Sequence, residues 1–247
     1  MYRLAIAIAA LFATAALAQT VSPVVTAAVK DPGRPVTDTA RDADRKPAES
    51  VAFSGMKPGY KVADFLPGGG YYTRIFSKVV GPKGHVYAVL PAEFATPHPR
   101  IQAEIAAVLP PYSSNTELLV KPYAEFGAPE KLDVVWISLN YHDLHNPGFA
   151  VPDISAFNKA VFNSLKPGGV YFIIDYAAAP GSAFSATGKL HRVDEEALKK
   201  EVEAAGFVLD GESNILHQAA DDHALASGSE TMKDKADEFI IRFKRPA

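Results

Sequence analysis

The sequence contains no cysteine, and its basic and acidic residues nearly balance. Without cysteine the chain has no disulfide bonds, no thiolate metal ligands and no thiol for lipid attachment. The formal net charge of −3 argues against a dedicated nucleic-acid-binding protein, which would carry an excess of lysine and arginine. No repeat of solenoid or propeller length is present. We therefore expect neither a nucleic-acid partner nor a repeat architecture.

A long apolar run is also lacking, although the chain begins with a short one. Arg3 precedes an apolar stretch over residues 4–17, which is shorter than the roughly twenty residues of a membrane-spanning helix. Small residues ending at Ala18 come directly before Gln19, as at a secretory cleavage site. We expect residues 1–18 to be a cleaved signal peptide, with no stable membrane anchor. The mature chain is then periplasmic or secreted.

The next segment differs in composition from the rest of the chain. Residues 19–47 are rich in proline, aspartate, arginine, threonine and alanine and show no sustained apolar period. Such a segment is typical of a linker. We therefore expect a flexible linker over 19–47 and a folded α/β domain over 48–247.

Apolar runs and turn residues alternate along the folded part. Strands are predicted at 61–65, 85–90, 117–120, 132–137, 170–174, 207–215 and 238–244, and helices at 44–56, 71–79, 99–109, 154–165 and 195–205. Apolar runs without alternation indicate strands that are buried on both faces of a parallel sheet. The last two strands follow each other without a helix between them. This order predicts a doubly wound α/β sheet with an antiparallel edge strand.

Three local motifs accompany this order. An aspartate and a glycine run join the first strand to a helix (Val-Ala-Asp-Phe-Leu-Pro-Gly-Gly-Gly, 62–70), Leu-Lys-Pro-Gly-Gly (165–169) precedes a later strand, and Ala-Ala-Gly-Phe (204–207) precedes another. Together they resemble the motifs of class I S-adenosylmethionine-dependent methyltransferases, over about residues 44–244. The stretches 65–74 and 140–145 resemble a group of exported predicted methyltransferases. The resemblance implies a Rossmann-like seven-stranded sheet.

The resemblance also implies that S-adenosylmethionine is the cofactor. Gly68 and Gly70 would face its carboxypropyl and ribose parts, because glycine permits positive φ and close approach of a ligand to the backbone. Asp64 would organise the amino end. Glu125, after the third strand, matches the acidic position near the adenine amine, although a surface charge explains it equally well.

Two positions depart from the family pattern. Leu66 stands where the first glycine is usual, and Leu90 ends the second strand, where a nucleotide site normally offers an acid to the ribose hydroxyls. Glu93 is the next acidic residue and is the candidate ribose ligand, or else an ordinary loop charge. These departures predict a less open loop and weaker cofactor binding.

The densest group of reactive side chains, Asn140 to His145, follows the fourth strand. His142 is a candidate general base for methyl transfer, and Asp143 is a candidate orienting carboxylate. The alternatives are a structural role in the loop, or a metal site that joins His142 and His145 to Asp175 or His191. A His-x-x-His spacing alone is not diagnostic, so we predict no metal ligands.

The remaining polar residues are less informative. Tyr176, His191 and Arg192 are acceptor-side candidates, because they follow the fifth strand. Tyr71 and Tyr72 fit packing of the first helix better than stacking on a base. The stretch 217–234 is predicted to be an exposed insertion without chemistry.

We expect a methyltransferase that acts on a small-molecule acceptor. The alternatives are an exported, non-catalytic ligand-binding protein on the same scaffold, which Leu66 and Leu90 favour, and a nicotinamide-dependent oxidoreductase, which the missing acid and the final strand pair disfavour.

Overall fold

The computed structural model describes residues 20–149 and 151–247, so the predicted signal peptide lies outside the described residues. The α-helices are α1 (Pro23–Val29), α2 (Val36–Thr39), α3 (Asp42–Arg45), α4 (Pro47–Ser54), α5 (Tyr71–Val80), α6 (Ala92–Ala95), α7 (Pro99–Val108), α8 (Ile154–Ser164), α9 (Thr187–Leu190) and α10 (Glu195–Ala204). The strands are β1 (Lys61–Phe65), β2 (His85–Pro91), β3 (Thr116–Lys121), β4 (Leu132–Ser138), β5 (Leu165–Tyr176), β6 (Val208–Ser213) and β7 (Glu238–Lys244).

The strands form one seven-stranded sheet in the order β3-β2-β1-β4-β5-β7-β6. The pairs from β3 to β5 are parallel, whereas β7 is antiparallel to both β5 and β6. This arrangement confirms the predicted doubly wound sheet with antiparallel strands at one edge. Because chain order reverses between β1 and β4, the carboxyl ends of these two strands flank a crevice, where such sheets bind ligands.

Helices cover both faces of the sheet and bury its apolar strands. On one face α1, α4 and α5 pack over Trp136 of β4, whose ring stacks on Phe172 of β5 with the ring centres 4.1 Å apart. On the other face α8 and α10 pack over Phe65, Ile137 and Tyr171. In the part of the chain that the structure describes, no helix has both the length and the apolarity needed to cross a bilayer.

The prediction of a flexible linker over residues 19–47 is wrong for most of that segment. Val25 and Ala28 of α1 are buried beneath α5, and the Arg34 guanidinium pairs with Asp42 at 2.7 Å. Asp38 pairs in turn with Arg74 of α5 at 2.7 Å. The helices are short and carry few apolar residues, so their stability comes from these tertiary contacts and not from an apolar period.

The helix predicted over 44–56 is divided into α3 and α4. Lys46 takes a left-handed conformation with φ of 41°, and Pro47 begins α4. Proline disfavours the helical conformation in the residue before it, which explains the break.

Most residues of the stretch 217–234 are exposed, as predicted, but polar contacts hold the stretch in place. Arg192 and Asp221 have fully buried side chains, and Arg192 Nη2 lies 2.8 Å from Asp221 Oδ2. Asp237 accepts hydrogen bonds from His217 Nδ1 at 2.8 Å and His223 Nε2 at 3.0 Å. These polar contacts tie the connection between β6 and β7 to the body of the domain.

Candidate active site

The loop between β1 and α5 has the backbone shape of a ligand-binding glycine turn. Leu66, Gly68 and Gly70 have φ angles of 51°, 54° and 76°. Leu66 thus keeps the left-handed conformation that glycine would adopt, at a cost of about 1–2 kcal/mol for an L-residue. A Cβ on Gly68 would meet nothing within 4 Å, whereas one on Gly70 would come within 2.6 Å of Val108 Cγ1. Gly68 therefore faces open space, and Gly70 is held by packing.

This open space is a cavity of about 230 Å³ at the carboxyl ends of β1 and β4. Asp64 and Gly68 contribute from β1 and its loop, and Asn140 contributes from the end of β4. Arg41 and Arg45 close the cavity from the N-terminal helices. Among the described residues neither arginine forms an ion pair, so both guanidinium groups are available to an anionic ligand.

Asp64 is the buried acid of this cavity. Its Oδ2 accepts a hydrogen bond of 2.6 Å from Thr73 Oγ1 of α5. Burial raises the pKa of Asp64 to about 7, although the hydrogen bonds from Thr73 oppose the shift. An incoming cation would favour the ionised carboxylate, so Asp64 is suited to receive an ammonium group.

The other two acidic candidates lie outside the cavity. Glu93 lies in the first turn of α6, and its two carboxylate oxygens lie 3.2 and 3.3 Å from the Tyr123 backbone nitrogen, which donates to them. Glu125 is exposed and borders a separate depression beside Lys121 and Ala160. Leu90 is packed in the core. The structure thus brings Asp64 and Gly68 together and leaves the end of β2 without an acid that faces the cavity.

The polar cluster after β4 is organised by Asp175 of β5. Asp175 is fully buried, and its Oδ1 accepts a 2.7 Å hydrogen bond from His142 Nδ1. The other oxygen, Oδ2, accepts from the His142 backbone nitrogen at 2.7 Å, and Oδ1 also accepts from the Tyr176 backbone nitrogen at 2.8 Å. These contacts fix the imidazole ring and leave its Nε2 directed away from Asp175.

His142 Nε2 faces two further polar side chains. Asp143 Oδ1 lies 3.4 Å from it, and His191 Nδ1 lies 3.6 Å from the same Asp143 oxygen. Burial lowers the pKa of His142, but Asp175 and Asp143 outweigh it and the pKa is raised above its ordinary value. Burial likewise raises the pKa of Asp143, against the opposing effect of His142. An imidazole held in this way suits a general base or a metal ligand.

His145 does not join His142. Its Nε2 lies 3.1 Å from Glu201 Oε2, and its ring stacks on Phe184 with the ring centres 3.6 Å apart. Tyr141 donates a 2.6 Å hydrogen bond to the same Glu201 oxygen. These contacts support the structural interpretation of His145 and show no part for it in the His142 group.

A second, narrower cavity of about 40 Å³ adjoins the first, and the two share Arg41, Arg45 and Leu139. Tyr176 and Glu238 line it, and the Tyr176 ring centre lies 6.1 Å from that of His142. Burial raises the pKa of Glu238 to about 8, against the opposing effect of Arg45. This cavity thus adjoins the first through shared residues and reaches the polar cluster only through Tyr176.

Tyr71 and Tyr72 pack, as predicted. Tyr72 and Phe76 both contact Trp136, and the Tyr71 hydroxyl donates a 2.6 Å hydrogen bond to Asp42. Arg41 and Arg45 were not predicted from the sequence as cavity residues. Their spacing of four residues, which would place them on one helical face, was the available signal.

No protein-family model matches the sequence, and no curated protein matches it significantly. Solved structures do match. A SAM-dependent methyltransferase from Aquifex aeolicus has a TM-score of 0.59 at 18% identity, over 87% of this chain and 96% of that one. A second, from Mesorhizobium loti, has a TM-score of 0.51 at 14% identity, over 77% of this chain and 93% of that one. The [4+2]-cyclase SpnF has a TM-score of 0.58 at 15% identity, over 83% of this chain and 81% of that one.

The chain has the fold of the SAM-dependent methyltransferases. At these identities the likeness extends to the fold alone, and the cyclase shows that this fold also serves a protein named for another reaction. A function must therefore be argued from the site. The candidate site in this chain is the pair of cavities beside the glycine loop, with the His142 group next to Tyr176 of the second cavity.

Proposed function

We propose that the protein is an S-adenosylmethionine-dependent methyltransferase that acts on a small-molecule acceptor. The observation that carries the proposal is the cavity at the ends of β1 and β4, where a buried Asp64 and an open Gly68 face the same space. The known structures with this fold, described above, include methyltransferases named for their dependence on this cofactor.

The residues of the cavity fit the amino-acid end of the cofactor. Its ammonium group would pair with Asp64, and its carboxylate would pair with Arg41 or Arg45, whose planar guanidinium groups match a carboxylate. Gly68 leaves room for the chain that joins this end to the sulfur. The cofactor, when bound, supplies a methyl group on a positively charged sulfur.

The adenosine end has fewer partners. The cavity, about 230 Å³, is smaller than the roughly 300–1,000 Å³ of typical ligand sites, so adenosine would lie across the more open end of β2. Leu90 offers no acceptor to the ribose hydroxyls there. A lost charge-assisted hydrogen bond is worth about 1.5–3 kcal/mol, which weakens binding roughly ten- to hundredfold. We expect modest cofactor affinity.

The acceptor would occupy the second cavity, beside Tyr176 and Glu238. The narrowness of this cavity supports a small acceptor, and alignment of the acceptor atom with the methyl group supplies most of the catalysis. An oxygen or nitrogen acceptor must lose a proton. The group formed by His142, Asp143 and His191 lies next to Tyr176 of this cavity and would promote that loss. Export of the mature chain remains part of this proposal.

Calorimetric titration with S-adenosylhomocysteine tests the proposal. The parent should bind one molecule per chain, and Gly68→Val should abolish binding, because a branched side chain at positive φ fills the cavity. Gly168→Val is the matched control, since Gly168 also has positive φ, at 75°, and open space around it, but lies outside the cavity.

Loss of binding in Gly68→Val but not in Gly168→Val would support the cofactor site, provided that thermal melting shows both variants folded. Equal affinity in a folded Gly68→Val variant would show that the loop is only a turn. If the parent itself fails to bind, the non-catalytic binding protein becomes the better hypothesis.

A further inference from the structure

We propose that His142, Asp143 and His191 bind one divalent transition-metal ion, with zinc as the best match, on the acceptor side of the cleft. One nitrogen from each histidine and one oxygen from Asp143 all lie within 4.8 Å of one another. Two imidazoles and one carboxylate form a common ligand set for zinc. From the sequence, a metal site of His142 and His145 with Asp175 or His191 was considered, but no metal ligands were predicted because a His-x-x-His spacing is not diagnostic, and Asp143 was not considered as a ligand.

The two distances from Asp143 to the histidines fit a metal better than they fit hydrogen bonds. Metal–ligand distances of about 2.0–2.2 Å place neighbouring ligands of a tetrahedral ion about 3.3–3.6 Å apart. The structure has 3.4 Å from His142 Nε2 to Asp143 Oδ1 and 3.6 Å from that oxygen to His191 Nδ1. Both exceed the roughly 2.7–3.2 Å of a nitrogen–oxygen hydrogen bond.

The outer contacts of His142 are those of a metal-bound histidine. Asp175 accepts a hydrogen bond from Nδ1 at 2.7 Å, which selects the tautomer in which the neutral ring has its lone pair on Nε2, the atom that faces the cluster. A carboxylate behind a ligating histidine fixes the tautomer and ring orientation and makes the imidazole a stronger ligand. Two backbone nitrogens, of His142 and Tyr176, hold Asp175 in place.

The local charges also favour a cation. Asp143 and Asp175 are both buried, and both face the His142 ring. Across residues 20–149 and 151–247, neither carboxylate forms an ion pair with a lysine or an arginine. Two buried carboxylates beside one imidazole leave negative charge that a divalent ion would neutralise.

The protein ligands leave a coordination position open. The His191 side chain is 46% exposed, so the third ligand comes from the rim of the cleft. Three protein ligands with an open fourth position are characteristic of catalytic zinc. An acceptor oxygen or nitrogen bound there would lose its proton more easily, because the ion lowers its pKa. Only this last step rests on the proposed methyl transfer.

Cobalt and zinc titrations test the site directly. The purified, metal-stripped chain should bind one Co²⁺ with the visible absorption of a tetrahedral or five-coordinate ion, and Zn²⁺ should displace it. His191→Ala should weaken Co²⁺ binding at least about tenfold. Substitution at this half-exposed position should disturb folding less than substitution at a buried one. Asp143→Asn, which removes the carboxylate charge, serves as a second variant. His217→Ala is the control, because its side chain is 54% exposed and pairs with Asp237 elsewhere.

Absence of saturable Co²⁺ binding by the parent would overturn the site. So would equal affinity in His191→Ala and the parent, or an equal loss in His217→Ala. S-adenosylhomocysteine titration of His191→Ala separates the two proposals. Retained cofactor binding with lost Co²⁺ binding supports both, whereas Co²⁺ binding by a parent that does not bind S-adenosylhomocysteine supports the metal site alone.

Discussion

Replacement of Asp64 by asparagine should make the protein more stable than the parent above pH 7. It should also abolish the release of protons that we expect when the parent binds the cofactor. Asp64 has a pKa of about 7 in the folded chain, raised by burial from 3.8. Asparagine has nearly the same shape and can still accept the hydrogen bond from Thr73. The substitution therefore removes the titrating charge with little change in packing.

The sign follows from proton binding. Between pH 4 and 7 the folded state holds a proton on Asp64 that the unfolded state has lost, so stability falls as pH rises through this window. About three pKa units at about 1.4 kcal/mol each give a penalty on the order of 4 kcal/mol above pH 7. Asp64→Asn should lack this penalty, and its advantage over the parent should disappear near pH 4.

The number of protons released on cofactor binding depends on the same carboxyl group. At pH 7 about half of the free protein carries the Asp64 proton, and at pH 8 about a tenth does. An ammonium group beside Asp64 favours its ionisation, so binding should release about half a proton at pH 7 and about a tenth at pH 8. Calorimetry of S-adenosylhomocysteine binding in buffers with different ionisation enthalpies measures this release.

Binding of S-adenosylhomocysteine at pH 7 without proton release by the parent would contradict the role given to Asp64. Equal stability of the parent and Asp64→Asn in denaturant unfolding at pH 8 would also contradict it. The variant should bind S-adenosylhomocysteine more weakly than the parent, because an amide cannot pair with the ammonium group.

Three further outcomes are expected. Arg192→Ala should destabilise the chain by about 3–5 kcal/mol in denaturant unfolding, because Asp221 is left buried without its partner. Arg100→Ala is the control and should destabilise it by less than about 1 kcal/mol, because Arg100 is highly exposed. His142→Ala should lower methyl transfer to an identified acceptor by about 10²–10⁴-fold, and a variant that fails to fold would instead favour a structural role. Intact-mass measurement of the exported protein should give a chain that begins at Gln19, and retention of residues 1–18 would contradict the signal-peptide prediction.

Much of the fold could be predicted because its signals are local. The unbroken apolar run of β4 indicates a strand that is buried on both faces, and Trp136 is fully buried there. Asp194 directly precedes α10, and its side chain accepts hydrogen bonds from the backbone nitrogens of Glu196 and Ala197, as an N-cap aspartate does. Each of these features depends on neighbours in the chain, so spacing and residue type are sufficient to predict it.

The N-terminal helices could not be predicted in the same way. Their short lengths leave them unstable alone, and the ion pair between Asp38 and Arg74 joins them to a helix that follows much later in the chain. The composition of this segment is typical of a linker, and composition contains no information about such distant partners. The helices were therefore not predicted. For the same reason, Arg41 and Arg45 were not recognised as cavity residues.

The sequence by itself determined the succession of strands and helices along the chain, the glycine turn at Gly68 and the presence of reactive side chains after β4. Only the tertiary structure decided which of these side chains meet. It placed Asp175 behind His142, brought His191 to Asp143 and left His145 paired with Glu201. The reason is geometric: parallel strands bring the ends of β4 and β5 side by side, and loops from distant parts of the chain then converge on one edge of the sheet.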